Sequence, residues 1–255
     1  MTNRPRITVA PNGARRQKSD HPALPITAAE VAETARACHA AGADALHLHV
    51  READGAHSLD CGLYTEALAA VDAAVPGLSV QVTTESAGIF DVPAQLHLIE
   101  TLRPKAASVA VREIFRAPDL AVRTYATLAD IGTEVQHILY GPGCLQQLNA
   151  WLDDGTVLQH QKDAILVLGQ YNPPVNGAPG DLDAVLPDAA GLGLTMTVCA
   201  FGGAEEACLI AAAERGCDLR IGFENNLHAP DGTLWADNAA AVASLVAALE
   251  RNSAR

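Results

Sequence analysis

The feature of this chain that most limits its fold is an eightfold alternation between short β-rich segments and longer segments with helical spacing. The first kind concentrates valine, isoleucine and threonine, as in RITVA at Arg6–Ala10 and LSVQVT at Leu78–Thr83. The second kind is rich in alanine, as in TAAEVAETARACHAAG, where Thr27 and Glu30 fit a capping box at the start of a helix. Such regular alternation predicts a parallel sheet whose strands are joined by crossover helices.

Eight strands are predicted, and each is followed by a helix. The strands lie at Arg6–Ala10, Asp44–Val50, Leu78–Thr83, Ala106–Val111, Glu134–Leu139, Ala164–Gly169, Leu194–Cys199 and Asp218–Phe223. The helices run from Thr27 to Gly42 and over Gly62–Val75, Pro93–Leu102, Pro118–Ile131, Cys144–Asp153, Leu182–Leu192, Ala204–Gly216 and Asn238–Arg251. Eight β–α units in 255 residues favour a (β/α)8 TIM barrel over an open, doubly wound sheet. No low-complexity linker divides the chain, so residues 1–255 are expected to form a single barrel domain.

The charge of the chain bears on its partners. Its 17 lysines and arginines stand against 30 aspartates and glutamates, which gives a formal net charge of −13 at pH 7. Such a chain repels phosphate backbones and anionic lipids, so neither nucleic acid nor a membrane is an expected partner. The sequence shows no signal-peptide pattern, no apolar run of 18 residues and no paired spacing among its six cysteines. We expect a cytoplasmic protein that acts on small molecules.

The stretch DALHLHVRE at Asp44–Glu52 carries two histidines in an otherwise apolar strand. Alternate residues of a strand share a face, so His47, His49 and Arg51 are predicted to point into the barrel. Two imidazoles at the carboxyl end of a barrel strand can bind one metal ion, although two hydrogen-bonded core histidines show the same pattern. Glu224, in RIGFENN after the eighth strand, is the best third ligand, or else an ordinary loop carboxylate. Two histidines and one glutamate with an open position form a catalytic zinc arrangement, and another divalent metal would also fit.

Three arginines stand near predicted strand ends in this acidic chain. Arg15 lies in the loop after the first strand, Arg112 follows the fourth strand, and Arg220 lies within the eighth. The parity of the eighth strand places Arg220 on the same face as Glu224. Arg51 and Arg220 are thus predicted to be two inward-facing arginines beside a metal, which favours carboxylate binding or the stabilisation of an oxyanion.

Phosphate-binding patterns in the chain are weaker. GPGCLQQ at Gly141–Gln147 departs from the GxGxxG fingerprint of dinucleotide-binding folds at its last position. FGGAEEA at Phe201–Ala207 leads into a helix through two glycines and offers backbone N–H groups to an anion. A plain helix start explains this second stretch somewhat better.

Several stretches together resemble the beta-keto acid cleavage enzymes, a family that includes 3-keto-5-aminohexanoate cleavage enzyme. They are ITVAPNGA, HPALPIT, AGADALHLHVRE and RIGFENNLHAPDGTLWADN, and the match extends from about Ile7 to Leu249. The resemblance implies a zinc-containing (β/α)8 barrel, usually a homotetramer, with acetyl-CoA as co-substrate. The implied reaction converts a 3-keto acid and acetyl-CoA into acetoacetate and an acyl-CoA thioester.

The resemblance also implies roles by motif position. His47, His49 and Glu224 correspond to the metal ligands, and Arg220 corresponds to a catalytic arginine. Thr83, in QVTTES, corresponds to a residue that contacts the substrate. The remaining substrate-binding candidates in these motifs and at the strand ends are Asn12, Arg15, Arg51, Thr84 and Arg112.

Asn225 is the main departure from the family pattern, which has aspartate between the glutamate and the asparagine after the eighth strand. The resemblance implies a general base at that position, and an amide cannot accept the proton. Loss of a general base commonly lowers the rate about 10²- to 10⁴-fold. Glu113 or Glu85 is therefore a candidate for the base. Two further hypotheses stay open: a different metal-dependent barrel enzyme, such as an aldolase or hydrolase, and a non-catalytic barrel that binds a metal or ligand.

Arg15 is a second departure, because the amino-substrate enzymes of the family have a glutamate after the glycine and alanine of this loop. A glutamate suits a cationic substrate tail, whereas an arginine pairs with a carboxylate. We therefore expect a substrate with an anionic or polar tail, such as 3-ketoadipate or 3-ketoglutarate. The neighbouring Arg16 is a second candidate for the same role.

Overall fold

The structure is a computed structural model that describes residues 4–171 and 173–253. The ends of the predicted domain, residues 1–3 and 254–255, lie outside the described residues. Residue 172 also lies outside them.

Among the residues that the structure describes, eight parallel strands close into a barrel. In chain order they are Ile7–Val9, Ala45–Leu48, Ser79–Thr83, Ala106–Ala110, Glu134–Leu139, Asp163–Gln170, Thr195–Ala200 and Asp218–Ile221. Each strand pairs with the next. The last strand pairs with the first, with Thr8 opposite Arg220, and this pairing closes the barrel. The predicted (β/α)8 TIM barrel is confirmed.

Helices cover the outside of the barrel. They span Ala28–Ala40, Cys61–Ala74, Val92–Leu102, Pro118–Asp130, Pro142–Asp154, Leu186–Gly191, Glu205–Glu214 and Asn238–Ser253. The first helix begins with the predicted capping box, in which the Thr27 hydroxyl accepts from the Glu30 N–H at 3.2 Å and the Glu30 carboxylate accepts from the Thr27 N–H at 3.1 Å. Within the described part of the chain, no helix is both long and apolar enough to cross a membrane.

The second strand is shorter than predicted, because the chain leaves the sheet at His49. Val50–Arg51 then pairs in antiparallel fashion with His57–Ser58 and forms a small hairpin at the rim of the barrel. The first histidine of the HxH motif therefore lies within the strand and the second at the break, and the parity rule does not extend unchanged to Arg51.

The segments after the fourth and sixth strands also differ from the prediction. The fourth strand ends at Ala110, and Val111–Ile114 forms a short helix. The predicted helix Leu182–Leu192 is wrong at its start: a 3₁₀ segment occupies Pro179–Ala184, and the α-helix is confined to Leu186–Gly191. Pro187 explains the division, because proline is tolerated in the first turn of a helix but not in its interior.

Toward the carboxyl ends of the strands, the interior of the barrel has an apolar side and a polar side. The fourth to seventh strands and the residue after the seventh supply the apolar side, which consists of Ala110, Ile138, Ile165, Val167, Cys199 and Phe201. The second, third and eighth strands carry the buried polar side chains of His47, Thr83 and Arg220. The polar groups that can do chemistry are thus gathered around one half of the barrel.

Candidate active site

Three buried side chains meet at the carboxyl end of the barrel. The Nε2 atoms of His47 and His49 lie 3.1 Å apart, and they lie 3.7 Å and 3.4 Å, respectively, from Oε2 of Glu224. A tetrahedral zinc ion with ligands about 2.0–2.1 Å away separates its ligand atoms by about 3.3 Å. Oε2 of Glu224 has no hydrogen-bond partner among the described residues. The three donor atoms therefore fit a metal site in both spacing and availability.

Backbone atoms hold Glu224 in place. Its N–H donates to the carbonyl of Ala10 at 3.1 Å, which joins the ends of the first and eighth strands. Gly13 lies against its side chain, since a Cβ at Gly13 would stand 2.6 Å from Cγ of Glu224, and the φ of Gly13 is +61°. Both the space and the backbone conformation require glycine. The loop after the first strand thus forms a wall against which the glutamate packs.

Arg220 keeps Glu224 charged. Its Nη2 lies 3.2 Å from Oε1 of Glu224, and both side chains are buried. Burial alone would raise the pKa of Glu224, but the guanidinium of Arg220 and the contacts of His49 and His47 together outweigh burial and hold that pKa well below its ordinary value. Glu224 is therefore an anion, which is the form that binds a metal.

His47 is neutral in these surroundings. Burial lowers its pKa to about 3, and the positive charge of Arg220 acts in the same direction. Its Nδ1 lies 2.7 Å from Oε1 of Gln81 on the neighbouring strand. With Nδ1 engaged in that hydrogen bond, Nε2 is the nitrogen that faces His49 and Glu224.

A cavity of about 680 Å³, its open mouth included, adjoins this group. Its polar lining consists of Arg15, His47, Thr83, Glu85, Arg112, Gln170, Arg220 and Glu224, and its apolar and aromatic lining of Ile138, Tyr140, Val167, Tyr171 and Phe201. This mixture of apolar walls with a few converging polar groups is typical of small-molecule sites.

Two of the predicted arginines line the cavity in different settings. Arg112 lies over the ring of Tyr140, with 3.3 Å between its Cζ and the ring centroid. Arg15 is half exposed, its Nη2 lies 3.8 Å from Glu85, and its Cζ lies 5.6 Å from the ring centroid of Tyr171. Among the described residues no carboxylate forms an ion pair with Arg112, so its charge is the less compensated of the two.

The two glutamates predicted as candidate bases also lie in different settings. Glu85 lines the cavity, and burial raises the pKa of its carboxyl above the ordinary value. Glu113, on the short helix after the fourth strand, accepts hydrogen bonds from the Ser86 N–H at 2.9 Å and from the Gln95 side chain at 2.7 Å. It is not one of the described residues that line the cavity. The contacts of Glu113 instead hold the loop after the third strand in place.

The two threonines of QVTTES face different groups. Thr83 lines the cavity, and its hydroxyl oxygen accepts a hydrogen bond from the Glu85 N–H at 3.1 Å. The Thr84 hydroxyl donates to the carbonyl of Ser108 at 2.9 Å on the neighbouring strand. The structure therefore brings Thr83, but not Thr84, to the wall of the cavity.

Asn12 and Arg51 are bound to the framework around the site. The Asn12 side chain donates to the carbonyl of His49 at 3.3 Å. The Arg51 guanidinium donates to the carbonyls of Gly13 and Gly55 at 2.9 Å and 2.7 Å. Neither side chain is among the described residues that line the cavity. Both fasten the loop after the first strand to the end of the second strand.

Asn225 lies beside the site and not in the cavity wall. Both polar atoms of its side chain are buried and have no hydrogen-bond partner among the described residues. The backbone carbonyl of Asn225 accepts a hydrogen bond from Arg16 at 3.4 Å. Arg16, the second candidate for pairing with a substrate carboxylate, therefore lies against the backbone of the site. The position where the resemblance implies a base therefore holds no group that can accept a proton.

Tyr140, Tyr171 and Gln81 are site residues that no sequence motif indicated. The two tyrosines come directly after the fifth and sixth strands, and Tyr171 donates a hydrogen bond to the Glu224 carbonyl. Their place at the carboxyl ends of barrel strands is the signal that could have found them. Gln81 lies mid-strand, and its only signal is the face that it shares with Thr83.

The glycine-rich helix start at Gly202–Gly203 is closed by its own neighbours. Glu205 lies in the first turn of the helix, is 2% exposed, and accepts a hydrogen bond from Asn226 at 3.3 Å. On the other side, a Cβ at Gly202 would stand only 2.1 Å from Oδ1 of Asn176. These contacts favour a plain helix start over an anion site.

Solved structures share the fold at low sequence identity. The apo structure of ObcA has a TM-score of 0.72 at 16% identity over 91% of this chain. The match covers 63% of ObcA, so the chain spans less than two thirds of that protein. The 3-dehydroquinate dehydratase from Aquifex aeolicus VF5 has a TM-score of 0.59 at 14% identity, over 96% of this chain and 98% of its own. At these identities the likeness shows the barrel fold alone.

Sequence comparison gives the family. A 3-keto-5-aminohexanoate cleavage enzyme from Fusobacterium nucleatum subsp. nucleatum is 27% identical over 253 residues, which cover 94% of this chain and 89% of the relative. A 3-oxoadipate:acetyl-CoA acetyltransferase from Cupriavidus necator is 28% identical over 263 residues, which cover 96% of this chain and 88% of the relative. The family model for the beta-keto acid cleavage enzymes matches residues 6–255. The resemblance seen in the motifs is thus confirmed, and the chain belongs to the beta-keto acid cleavage enzyme family.

Proposed function

We propose that this enzyme cleaves 3-keto acids with acetyl-CoA as co-substrate and releases acetoacetate and an acyl-CoA. The observation that carries the proposal is the buried group of His47, His49 and Glu224 beside Arg220, next to a cavity at the carboxyl end of the barrel. In TIM barrels this end holds the active site. The relative from Cupriavidus necator, named as an acetyl-CoA acetyltransferase, supports acetyl-CoA as the co-substrate.

The metal is part of the proposal, and zinc is the ion that we favour among divalent metals. His47, His49 and Glu224 would hold it through Nε2, Nε2 and Oε2. When bound, the metal polarises the keto and carboxylate oxygens of the substrate. A site of two imidazole ligands and one carboxylate would leave a divalent ion with a net positive charge, which suits an anionic substrate in an otherwise acidic protein.

Arg220 and Thr83 are proposed to act on the substrate directly. Nε and Nη1 of Arg220 are buried and have no hydrogen-bond partner among the described residues. They are donors available for the negative charge that develops on a substrate oxygen. The Thr83 oxygen already accepts a hydrogen bond from the Glu85 N–H, so its own hydroxyl proton is free to be donated.

The proposed reaction begins at C2 of the 3-keto acid, whose protons lie between two carbonyl groups and are acidic. C2 loses a proton to a base and bonds to the acetyl carbon of acetyl-CoA, which releases CoA thiolate. The thiolate then bonds to the C3 carbonyl, and the C2–C3 bond breaks. C2 takes up a proton and leaves with its carboxylate and the acetyl group as acetoacetate, while C3 and the tail leave as acyl-CoA.

Glu85 is the base that we favour in place of Asn225 and Glu113. Its ion pair with Arg15 is long, at 3.8 Å, so its carboxylate oxygens are free to take a proton. A carboxylate with a raised pKa is a stronger base than an ordinary one. Glu113 already accepts two hydrogen bonds away from the cavity, and Asn225 has only an amide.

The substrate tail is proposed to be anionic or polar. Arg112 and Arg15 line the cavity, and neither is matched by a carboxylate at hydrogen-bonding distance among the described residues. The name of the relative from Cupriavidus necator contains 3-oxoadipate, a dicarboxylic 3-keto acid, which supports the same substrate class. We expect Arg112 to be the principal contact, because Arg15 shares its charge with Glu85.

Mass spectrometry of the products tests the proposal. The metal-loaded enzyme is incubated with acetyl-CoA and a panel of 3-ketoadipate, 3-ketoglutarate, 3-ketohexanoate and 3-keto-5-aminohexanoate. We expect acetoacetate and the matching acyl-CoA, most rapidly from the two dicarboxylates. Glu224→Ala should abolish the products, whereas Glu66→Ala, a change at an exposed helix position, should not. Absence of acetoacetate from every acid would refute the function, and preference for the aminated acid would refute the anionic tail alone.

We also propose a homotetramer, as the resemblance implies, and a cytoplasmic location, as the composition indicates. A single barrel domain over residues 1–255 is likewise part of the proposal. Light scattering on the purified protein measures its mass in solution. A mass of four chains supports the tetramer, and a mass of one chain contradicts it.

A further inference from the structure

One layer of the barrel interior is polar throughout. The first, third, fifth and seventh strands contribute Thr8, Gln81, Gln136 and Thr197, which line a second cavity at the amino end of the barrel. Barrels are normally filled by layers of four side chains from alternate strands, and branched apolar residues dominate those layers. Thr197 is buried and the other three are partly buried, and polar groups removed from water are unfavourable unless they are hydrogen-bonded. The hydrogen-bond partners of these four side chains therefore indicate the structural role of the layer.

Three residues of the layer form a hydrogen-bonded chain that ends at the proposed metal site. Nε2 of Gln136 donates to Oγ1 of Thr197 at 3.1 Å, and Nε2 of Gln81 donates to Oε1 of Gln136 at 3.2 Å. Oε1 of Gln81 then lies 2.7 Å from Nδ1 of His47. This hydrogen-bonded chain crosses the barrel from the seventh strand to the second, and its shortest hydrogen bond is the last one, between Gln81 and His47.

The direction of this chain determines which nitrogen of His47 carries the proton. Because the Gln81 amide gives its N–H to Gln136, its oxygen faces His47, and Nδ1 must be the donor. Nε2 then keeps its lone pair, and Nε2 is the atom that lies toward His49 and Glu224. Reversal of the chain would place the proton on Nε2, where it would compete with a metal.

We propose that Gln81, Gln136 and Thr197 form a positioning chain that holds His47 in its Nδ1–H tautomer. The inference rests on the metal site of the proposed function and adds residues to it. Histidine ligands of metals usually donate their second N–H to a carboxylate, a carbonyl or water. A neutral amide oxygen attracts the Nδ1 proton less strongly than a carboxylate would. The imidazole would therefore donate less charge to a bound metal, which would remain a stronger Lewis acid. The Nδ1 of His49 has no hydrogen-bond partner among the described residues. The hydrogen-bonded chain therefore orients only His47 of the two histidines.

Nitrogen NMR of the metal-free protein tests the tautomer directly. Two-bond ¹H–¹⁵N correlations of the histidine ring, assigned by comparison with His47→Gln, distinguish a protonated Nδ1 from a protonated Nε2. We expect the Nδ1–H form of His47 in the wild type and a mixture of tautomers in Gln81→Leu. An Nε2–H tautomer in the wild type would overturn the inference. This measurement needs neither metal nor substrate, so it stands apart from the proposed reaction.

Metal affinity tests the consequence. In a competition titration with a zinc chelator, Gln81→Leu should bind zinc about 10- to 100-fold more weakly, as expected for loss of a residue that orients a metal ligand. Gln81→Glu restores an acceptor for Nδ1–H and should bind zinc at least as tightly as the wild type. Gln136→Leu should weaken binding less than Gln81→Leu, because the bond to His47 remains.

Thr8→Val is the matched control, since Thr8 belongs to the same layer but not to the chain. Its zinc affinity should equal that of the wild type. The melting temperature of each metal-free variant separates a general loss of stability from a local effect. Equal zinc affinity in Gln81→Leu and the wild type would overturn the inference. If the wild type binds no zinc while His47 has the Nδ1–H form, the proposed metal fails and the tautomer assignment stands.

Discussion

In the structure Nη2 of Arg220 lies 3.2 Å from Oε1 of Glu224, and the other oxygen of the same carboxylate, Oε2, lies 3.4 Å from Nε2 of His49. One carboxylate therefore contacts the arginine and the proposed metal ligands at the same time. Its charge is shared between them, so a change at Arg220 should affect the chemistry of the proposed metal site as well as the proposed binding of the substrate.

Arg220→Lys should lower kcat about 10²- to 10³-fold, the usual cost of removing one donor to a developing oxyanion. Lysine keeps the charge, but one ammonium cannot both pair with Glu224 and replace the free Nε and Nη1 donors. Steady-state kinetics together with zinc content measure the effect, and zinc content should stay close to that of the wild type. Arg123→Lys, in an exposed ion pair with Glu100, is the control and should change neither. An unchanged kcat in Arg220→Lys would contradict the proposed role.

Glu85→Gln and Glu113→Gln should separate the two candidate bases. Glu85→Gln should lower kcat about 10²- to 10⁴-fold with little change in melting temperature, because it removes a general base and few contacts. Glu113→Gln should chiefly lower the melting temperature, because its carboxylate accepts hydrogen bonds from Ser86 and Gln95. Kinetics and thermal unfolding of both variants provide the comparison. The opposite pattern would identify Glu113 as the base.

Arg112→Met should raise the KM for 3-ketoadipate about 10- to 100-fold, since a hydrogen bond to a charged group contributes about 1.5–3 kcal/mol. The KM for 3-ketohexanoate, which has no tail carboxylate, should change little. The ratio of the two KM values, compared with that of the wild type, measures the effect on the tail alone. Equal changes for both substrates would show that Arg112 supports the site without binding the tail.

Glu205→Gln should make the stability of the protein less dependent on pH. Burial raises the pKa of Glu205 from the ordinary 4.5 to about 8. Between these values the unfolded chain loses the proton while the folded protein keeps it, so the wild type loses stability as the pH rises from about 5 to 8. The variant lacks this loss. The free energy of unfolding of the variant minus that of the wild type should therefore rise by up to about 1.4 kcal/mol per pH unit over this range.

Urea unfolding of the Glu205→Gln variant and the wild type at pH 5 and pH 8 measures this difference. Glu66→Gln, at an exposed helix position, is the control and should match the wild type at both pH values. A difference between Glu205→Gln and the wild type that is the same at pH 5 and pH 8 would show that Glu205 has an ordinary pKa.

The sequence predicted the number and order of the barrel strands, because strands buried on both faces and alanine-rich helices leave distinct patterns along the chain. It also predicted that His47, His49 and Glu224 would meet, because residues at the carboxyl ends of barrel strands share one rim. Such local sequence patterns predict the position of a side chain correctly when the strand or helix that contains it is regular.

The parts that the sequence did not predict depend on where regular elements stop. The strand break at His49 turns Arg51 toward the carbonyls of Gly13 and Gly55, and no periodicity indicates such a break. In the same way, the short helix at Val111–Ile114 carries Glu113 away from the cavity wall. These outcomes depend on contacts between loops that lie far apart along the chain.

The pairing of the first and last strands has a consequence for how the protein is made. The two histidines lie within the first fifth of the chain, whereas Glu224 lies near its end and is held by the carbonyl of Ala10. During synthesis, a nascent chain presents the histidine pair long before the glutamate leaves the ribosome. The complete group of three proposed ligands can therefore form only when the barrel closes, so a chain that has the full group has finished folding.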